Sequence, residues 1–350
     1  MSASEASNYE YVTARVRARR AALFSEDDYR KLLRMGPGEI ARFMEESTYE
    51  REINALGARH DGVDLIEYAL NADLARQFDD LLRWAEGELY EQIARYLGKF
   101  DAWNVKTVLR GLYADSDREA IEDDLIPAGE LDESLLSKAL DAGTIEGAIA
   151  ELEGTMFGTP LADALPDYDA SGLLVPLENA VDRAYYENLR SGLPDAEDGP
   201  IALYVEFLVA EIDFRNVRNA LRIAHSGADI DPEEYHIEGG QLFEQSELAA
   251  LVANPDELVE ALRESTYGDD LSGALDALAD ADSLVAFERA LEAALLEYSE
   301  RLSNRYPLSV CPVLAYVLAK EREVDNIRAI ARGREAGLDP EEIEEDLVVL

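Results

Sequence analysis

A ten-residue pattern occurs three times in this 350-residue chain at nearly constant spacing. An acid and two variable residues precede an asparagine, which is followed by Val or Ile, a cation, a variable residue, two apolar residues and arginine. The copies are Asp101–Arg110, Asp213–Arg222 and Glu323–Arg332, with their asparagines 112 and 110 residues apart. A weaker copy at Arg15–Arg17 has arginine at the asparagine position. Repetition at a fixed period predicts an array of similar structural units.

A second series of motifs alternates with the first along the chain. Glu46–Tyr49 and Glu264–Tyr267 share the letters Glu-Ser-Thr-Tyr, and Glu153–Met156 is a looser third copy. Two interleaved series at similar spacing are difficult to obtain by chance. We therefore predict three homologous units of roughly 110 residues each, with the boundaries 1–120, 121–230 and 231–350.

Hydrophobic spacing predicts an all-α fold for these units. Apolar residues recur three and four positions apart through Leu65–Leu112 and through Leu284–Leu302, as on one face of a helix. Alternation of apolar and polar residues with hairpin signals is missing. Ser25 and Asp339 precede clusters of acids, which favour the positive end of a helix, so a helix is expected to begin after each of them.

The charge of the chain constrains its partners and its solvent. It has 75 acidic and 32 basic residues, a net charge of −43, and an ordinary 47% of hydrophobic residues. Nucleic-acid binding is excluded on this basis, because phosphate contacts require clustered cations. A compact chain with this charge needs salt to screen its self-repulsion. We interpret the acidity as adaptation to a salt-rich cytoplasm; a functional acidic patch is the alternative.

Catalytic and cofactor motifs are missing from the sequence. It contains no P-loop, no G-x-S-x-G and no H-E-x-x-H, and its histidines, His60, His225 and His236, lie in loop-like contexts. Cys311 is the only cysteine, which precludes an internal disulfide. The longest uncharged run, Tyr306–Ala319, is shorter than the roughly 20 residues that span a bilayer. We therefore predict no catalytic residue, cofactor, metal site or transmembrane segment.

Two interpretations of the repeated helix stay open. In the architectural one, its apolar stripe packs inside its own unit, asparagine bonds a neighbouring helix and the cations pair with acids. In the functional one, three equivalent polar helices line a surface that grips a partner. The basic cluster that includes Arg15 and Arg17 has the same two interpretations, because it either pairs with acids such as Glu26 and Asp27 or contacts an acidic partner.

Several of these segments carry a family resemblance. Tyr306–Arg328, with its charged Lys320–Asp325 stretch, is the strongest, and Tyr9–Arg17 and Phe100–Arg110 support it. In these helices the chain resembles the C subunit of archaeal-type (A-type) ATP synthases, which is similar to the d subunit of vacuolar ATPases. The extreme acidity resembles a halophilic member of that family.

The resemblance implies an accessory protein of the complex without chemistry of its own. Its three units would form a funnel-like socket with pseudo-threefold symmetry. One side would receive the central-stalk shaft subunits and the other would sit on the membrane proteolipid ring, so that both rotate together. The chain would lie peripherally at the cytoplasmic face of the cell membrane and bind neither nucleotide nor nucleic acid.

If the family geometry holds, the motif helices surround the socket. We hypothesise that its lining includes Arg15, Arg17, Asn104, Arg110, Asn216, Arg222, Asn326, Arg328 and Arg332. The alternative function is a generic helical-repeat scaffold that binds another protein in a halophile. A helical enzyme with unrecognised carboxylate chemistry is the third possibility.

Overall fold

The computed structural model describes residues 7–191, 193, 200–226, 232–280, 284–344 and 347–348. Over these ranges the chain forms eighteen α-helices and one 3-10 helix without a strand, which confirms the all-α prediction. In chain order the helices are α1 Tyr9–Arg20, α2 Glu26–Leu32, α3 Pro37–Glu45, α4 Glu50–Leu56, α5 Gly62–Trp84, α6 Glu88–Tyr113, α7 Arg118–Asp123, α8 Glu133–Asp141, α9 Ile145–Glu151, α10 Gly158–Ser171, α11 Val175–Arg190, α12 Pro200–Ser226, the 3-10 helix Pro232–Tyr235, α13 Gln245–Val252, α14 Pro255–Arg263, α15 Gly268–Asp280, α16 Leu284–Arg305, α17 Cys311–Glu335 and α18 Pro340–Glu344.

The helix boundaries follow local sequence signals in most places. Ser25 caps α2 in a full capping box with Asp28, as the sequence predicted. Asp339 precedes α18, and its backbone N–H is bonded by Glu342. The periodic stretch Leu65–Leu112 is divided into α5 and α6, because Gly87 adopts a φ of 62° between them.

The chain divides into two compact units. Unit 1 contains Ser7 and Asn8 together with Ala41–Ser191, and unit 2 contains Tyr9–Ile40 together with the described residues from Leu193 onward. This spatial division differs in kind from the sequence repeats, whose boundaries remain a prediction. The predicted boundary after residue 120 falls inside α7, and the one after residue 230 lies outside the described residues.

The apolar stripes of the three motif helices, α6, α12 and α17, pack inside the units. In unit 1, Val108 packs with Ile121 and Leu136 in one buried cluster. In unit 2, Val217 and Leu221 pack in another, together with helices α13 to α16. Ile327, Ile330 and Ala331 of α17 are fully buried. The stripes are buried, as the architectural interpretation expected. Those of α6 and α12, however, pack against residues beyond the predicted boundaries after residues 120 and 230, and so not inside their own predicted 110-residue units.

The second motif series forms a recurrent turn between two short helices. The Ser47 hydroxyl donates to the Met44 carbonyl at 2.6 Å and accepts from the Tyr49 N–H at 3.3 Å. Ser265 and Thr155 make the same pair of bonds in the later copies. Thr155 is thus equivalent to Ser47, and the alignment of the middle copy moves by one residue from the one based on sequence letters.

Among the described residues, every helix is either too short or too polar to traverse a lipid bilayer.

Candidate functional site

Each motif asparagine clamps the backbone of a non-helical segment farther along the chain. The Asn104 amide donates to the carbonyl of Ile126 and accepts from its N–H, both at 2.8 Å. Asn216 grips Ile237 in the same way at 2.9 Å, and Asn326 grips Val348 at 2.8 and 3.0 Å. These asparagine clamps satisfy buried backbone groups that have no helical or strand partner.

Each of the three asparagines therefore uses its amide for hydrogen bonds inside its own compact unit, which is unit 1 for Asn104 and unit 2 for the other two. Their exposed fractions are 1% for Asn104, 4% for Asn216 and 3% for Asn326. The architectural interpretation expected a bond to a neighbouring helix, whereas the partner is the main chain of a returning segment. A buried amide with both its donor and its acceptor engaged positions the fold and has no polar group to offer a partner.

The motif acids of the first two copies bind the same non-helical segments, at residues four or five positions after the ones that the asparagines bond. The Asp101 carboxylate accepts from the N–H groups of Glu130 and Leu131 at 2.8 and 2.9 Å. In unit 2, Asp213 accepts from Gln241 and Leu242 at 2.8 and 2.9 Å. We call these contacts the carboxylate clasps.

Burial raises the pKa of these two carboxyls, and hydrogen bonding lowers it. Burial raises the pKa of Asp101 to about 6, against the backbone N–H groups that favour its charged form. The pKa of Asp213 is raised as well, and again burial is the largest cause. Both carboxyls are committed to the fold, so their raised pKa values do not mark a catalytic acid.

A glycine makes each of the first two clasps possible. A β-carbon at Gly129 would lie 2.1 Å from an oxygen of Asp101, and one at Gly240 would lie 2.3 Å from an oxygen of Asp213. Any other residue would push the segment off the carboxylate. The sequence analysis did not identify these glycines or the segments they belong to. The only trace of the clasp in the sequence is a single glycine 27 or 28 residues after the acid.

The acid of the third copy also accepts from a backbone N–H, but one at the other end of the sequence. Glu323 accepts from the backbone N–H of Phe24, which lies 299 residues earlier in the chain. The same carboxylate pairs with Lys320 at 2.8 Å, and the two side chains are 2% and 1% exposed. A buried pair of this kind is highly sensitive to the loss of one partner, because the other charge is left without compensation.

The motif cations of α6 and α12 form ion-pair ladders to a helix farther along the chain, α11 and α16 respectively. In unit 1, Lys106 and Arg110 of α6 pair with Asp182 and Glu178 of α11 at 2.6 and 2.5 Å. Both partners are spaced by four residues, so the rungs lie one helical turn apart on both helices. The ladder joins α6 to α11 along its exposed edge.

Unit 2 repeats this ladder between α12 and α16. Arg222 binds Glu288 in a bidentate manner, with one of the two distances at 2.6 Å, and Arg218 lies 3.5 Å from Glu292. Glu292 also pairs with Arg322 of α17 at 2.8 Å. This carboxylate therefore connects three helices of unit 2.

The remaining candidate arginines are less uniform. Arg328 pairs with Asp325 at 3.2 Å on its own helix, and Arg332 is exposed. Arg15 lies over the Tyr11 ring at 4.6 Å, and Arg17 is exposed on α1.

The basic cluster of α1 was expected to pair with nearby acids such as Glu26 and Asp27, but the structure shows a different ion pair. Arg20 pairs with Glu300 of α16. Glu26 and Asp27 both pair with Arg30 on their own helix α2. The sequence suggested Glu26 and Asp27 because they are near in the chain, but helix geometry places Arg30 one turn away from them.

Unit 1 also contains an open cleft of about 540 Å³. Tyr68, Asn71, Glu122, Asp123 and Glu133 contribute to its lining. The two carboxyls with raised pKa described above do not line it.

The histidines do not form a metal centre in the described ranges. His60 lies 3.8 Å from Asp123 and packs edge-on against Tyr68, and His236 contacts the Phe243 carbonyl at 3.4 Å. His225 lies within α12, not in a loop. Across the described parts of the chain, no three His, Cys, Asp or Glu side chains are grouped so that they could hold a metal ion. Cys311 is buried.

The chain is all-helical, and its repeated polar residues bond other parts of the same chain. Comparison with known families identifies which class. The chain belongs to the family described as ATP synthase (C/AC39) subunit, whose sequence model matches residues 12–346.

Individual relatives show which proteins of this family the chain is similar to. The chain is 65% identical to the A-type ATP synthase C subunit of Haloferax volcanii over 350 residues, which covers all of both proteins. It is 62% identical to that of Halobacterium salinarum over 352 residues, again with full coverage of both. The protein of the same name from Methanosarcina mazei is 35% identical over 98% of this chain and 94% of the relative.

These relatives confirm the resemblance to the C subunit of A-type ATP synthases. This family member is a structural rather than a catalytic part of the complex, as the sequence predicted. The high identity to proteins of halophilic archaea agrees with the interpretation of the acidity as solvent adaptation.

Proposed function

We propose that this chain is the central-stalk coupler of an A-type, proton-translocating ATP synthase. It links the rotor shaft to the membrane proteolipid ring, so that the two turn together and torque passes between them. The observation that carries the proposal is the full-length similarity to proteins named as the C subunit of A-type ATP synthases. In this role the chain lies at the cytoplasmic face of the membrane and is held there through its partners.

The proposal includes three homologous units in a funnel-like arrangement with pseudo-threefold symmetry. The asparagine clamps support it, since three helices about 110 residues apart grip a returning segment at the same offset of 21 or 22 residues. Identical local geometry at a fixed sequence period favours homologous units.

Stiffness is the property that a torque-bearing coupler requires. The long helices α6 and α12 are each fixed by an apolar stripe on one side and by an ion-pair ladder at the edge. Their asparagines and acids fasten the loops that leave them. Such cross-bracing limits sliding and rotation of one helix against its neighbour, which is the deformation that torque would impose.

We propose that the partner surface uses the arginines of the candidate set. Arg15, Arg17, Arg110, Arg222 and Arg332 are exposed, and Arg328 is one-fifth exposed. In multimolar salt, long-range charge steering is screened, so docking relies on shape, apolar contact and short-range hydrogen bonds.

A binding assay in multimolar KCl tests the function. The purified chain is titrated with the central-stalk shaft subunits of the same organism and, separately, with its detergent-solubilised proteolipid ring; ATP and ADP serve as controls. Association with both rotor parts and no nucleotide binding is the expected result. A folded chain that binds neither part would overturn the coupling role and favour the generic helical scaffold.

A pair of double variants tests the surface. Arg222→Ala with Arg332→Ala should weaken shaft binding by about tenfold, if each arginine contributes about 0.7 kcal/mol. The matched control is Arg83→Ala with Arg263→Ala, which removes two other arginines that pair with acids of their own unit. Equal affinity of the two double variants would contradict the assignment of the motif arginines.

A further inference from the structure

The segment Tyr9–Ile40, which we call the strap, belongs to unit 2 although the chain on both sides of it belongs to unit 1. Ser7, Asn8 and the stretch that starts at Ala41 are part of unit 1. The strap contains α1, α2 and the first part of α3. The chain therefore leaves unit 1, packs as part of unit 2 and returns.

The strap is held mainly by α17. Helices α1 and α2 both pack against it. The Phe24 N–H, between α1 and α2, donates to Glu323, and the Met35 carbonyl accepts from the Arg334 guanidinium at 3.3 Å. Two backbone groups of the strap are thus fixed at two turns of α17 that lie eleven residues apart.

The Phe24 contact is the third copy of the carboxylate clasp. In the first two copies, the clasped N–H groups of Leu131 and Leu242 come two or three residues before a short helix, α8 or α13. Phe24 comes two residues before α2. The acid of the third motif helix therefore seats a segment equivalent to the other two, but that segment comes from the opposite end of the sequence.

The start of the strap is anchored in unit 1. Asn8 donates to the Trp84 carbonyl at 2.7 Å and accepts from the Glu86 N–H at 3.1 Å. The Ser7 hydroxyl accepts from the Leu89 N–H at the start of α6 at 3.3 Å. These bonds fix the residues before the strap to the turn between α5 and α6.

We infer that the strap can detach from α17 as a single segment, and that the bond from the Phe24 N–H to Glu323 holds it in place. We call this bond the lock. Its ends are fixed in unit 1 by covalent continuity and by Asn8, and its middle is fixed in unit 2 by the third carboxylate clasp. The lock differs from the other two clasps, because Lys320 bonds one oxygen of the Glu323 carboxylate and the Phe24 N–H bonds the other. Opening the lock frees α1 and α2 while the other helices of unit 2 stay folded. The inference concerns the isolated chain and does not depend on the coupling role.

Hydrogen exchange on the full chain in multimolar KCl tests this inference. The variant Lys320→Met with Glu323→Leu removes the acceptor of the Phe24 N–H without leaving a buried lysine unpaired. The matched control, Lys320→Met with Glu323→Gln, keeps an amide oxygen that can accept from the same N–H. If the leucine variant does not fold, Glu323→Asp replaces it, because it keeps the charge beside Lys320 and withdraws the carboxylate by one methylene.

We expect the amides of α1 and α2 to exchange about tenfold faster in the leucine variant, since a hydrogen bond to a charged acceptor contributes at least that factor. The glutamine control should stay within about threefold of the parent chain. Amides of α12 and α16 should be unchanged in both. Unchanged exchange in the strap would overturn the role of Glu323, and a uniform increase across unit 2 would overturn the separable strap.

Discussion

Replacing Asn104 by alanine separates an architectural asparagine from one that faces a partner. The side chain is buried, and both polar atoms of its amide bond the backbone of Ile126. If the clamp is structural, its loss should appear in the stability of the isolated chain. If the residue instead served a partner, its loss should appear only in binding.

The size of the effect follows from the two bonds. Each contributes about 1 kcal/mol net, and a buried backbone group left without a partner costs about 1–3 kcal/mol. In the variant the Ile126 N–H loses its partner, whereas the Ile126 carbonyl keeps its bond from the Ala128 N–H at 2.7 Å. Water that enters the vacated space offsets part of the cost. We therefore expect a loss of about 3 kcal/mol, or a fall in Tm of roughly 6–9 °C.

Thermal unfolding in multimolar KCl, followed by far-UV circular dichroism, measures this loss. Asn216→Ala and Asn326→Ala should give similar values, since their clamps have the same geometry. Arg110→Ala is the matched control on the same helix, and its exposed ion pair should contribute at most about 1 kcal/mol. The reasoning is refuted if Asn104→Ala changes stability by less than the Arg110 control while it lowers affinity for the shaft.

Three further predictions concern the clasps and the surface charge. Gly129→Ala should cost about 3 kcal/mol, because its β-carbon would displace the Asp101 clasp, whereas Gly38→Ala, with open space around it, should be neutral or slightly stabilising; urea unfolding compares them. The pKa of Asp101 is raised to about 6, so its carboxyl binds more protons in the folded than in the unfolded chain, and the stability difference between the parent and Asp101→Asn should fall by up to about 3 kcal/mol as pH rises from about 4 to 6. A flat or rising difference in unfolding titrations would contradict that sign. Below about 0.1 M salt, circular dichroism should show loss of helix, because a net charge of −43 is then poorly screened; full helicity there would count against salt adaptation.

The repeat was predictable from the sequence, but the function of its central residue was not. Equal spacing of Asn104, Asn216 and Asn326 indicated one role in three places. The partners are main-chain atoms of Ile126, Ile237 and Val348, and a backbone group leaves no trace in the side-chain pattern. Only the shared β-branched residue 21 or 22 positions later hints at the clamp, and such residues are common.

Lys320 and Glu323 illustrate a different reason for the limit of sequence patterns. They lie in a stretch of four consecutive charged residues, which is typical of a solvated helix face. In the structure α17 packs against α1, α2, α12 and α16, so residues on several of its sides are buried. This burial comes from the N-terminal strap together with α12 and α16, and local periodicity does not contain such long-range packing.

The break between α5 and α6 shows the same limit at short range. Apolar spacing continues through this region, and no proline interrupts it. The helix ends because Ala85 is extended and Gly87 takes a positive φ, and the turn is then fixed by Asn8, a residue far away in sequence. A glycine alone does not predict a break, since Gly98 and Gly111 lie within α6.

The division between neutral clamps and charged ladders fits a protein that works in concentrated salt. Screening over about 3 Å at 1 M salt weakens exposed pairs such as Arg110 with Glu178, but it does not reach a buried amide bonded to a backbone. The three positions where a loop must be fixed to a motif helix carry asparagine. The carboxylates that assist them, Asp101 and Asp213, are buried and bonded to N–H groups. Each repeat is therefore fastened by a neutral, buried amide that dissolved salt does not screen, while the exposed ion pairs weaken as the salt concentration rises.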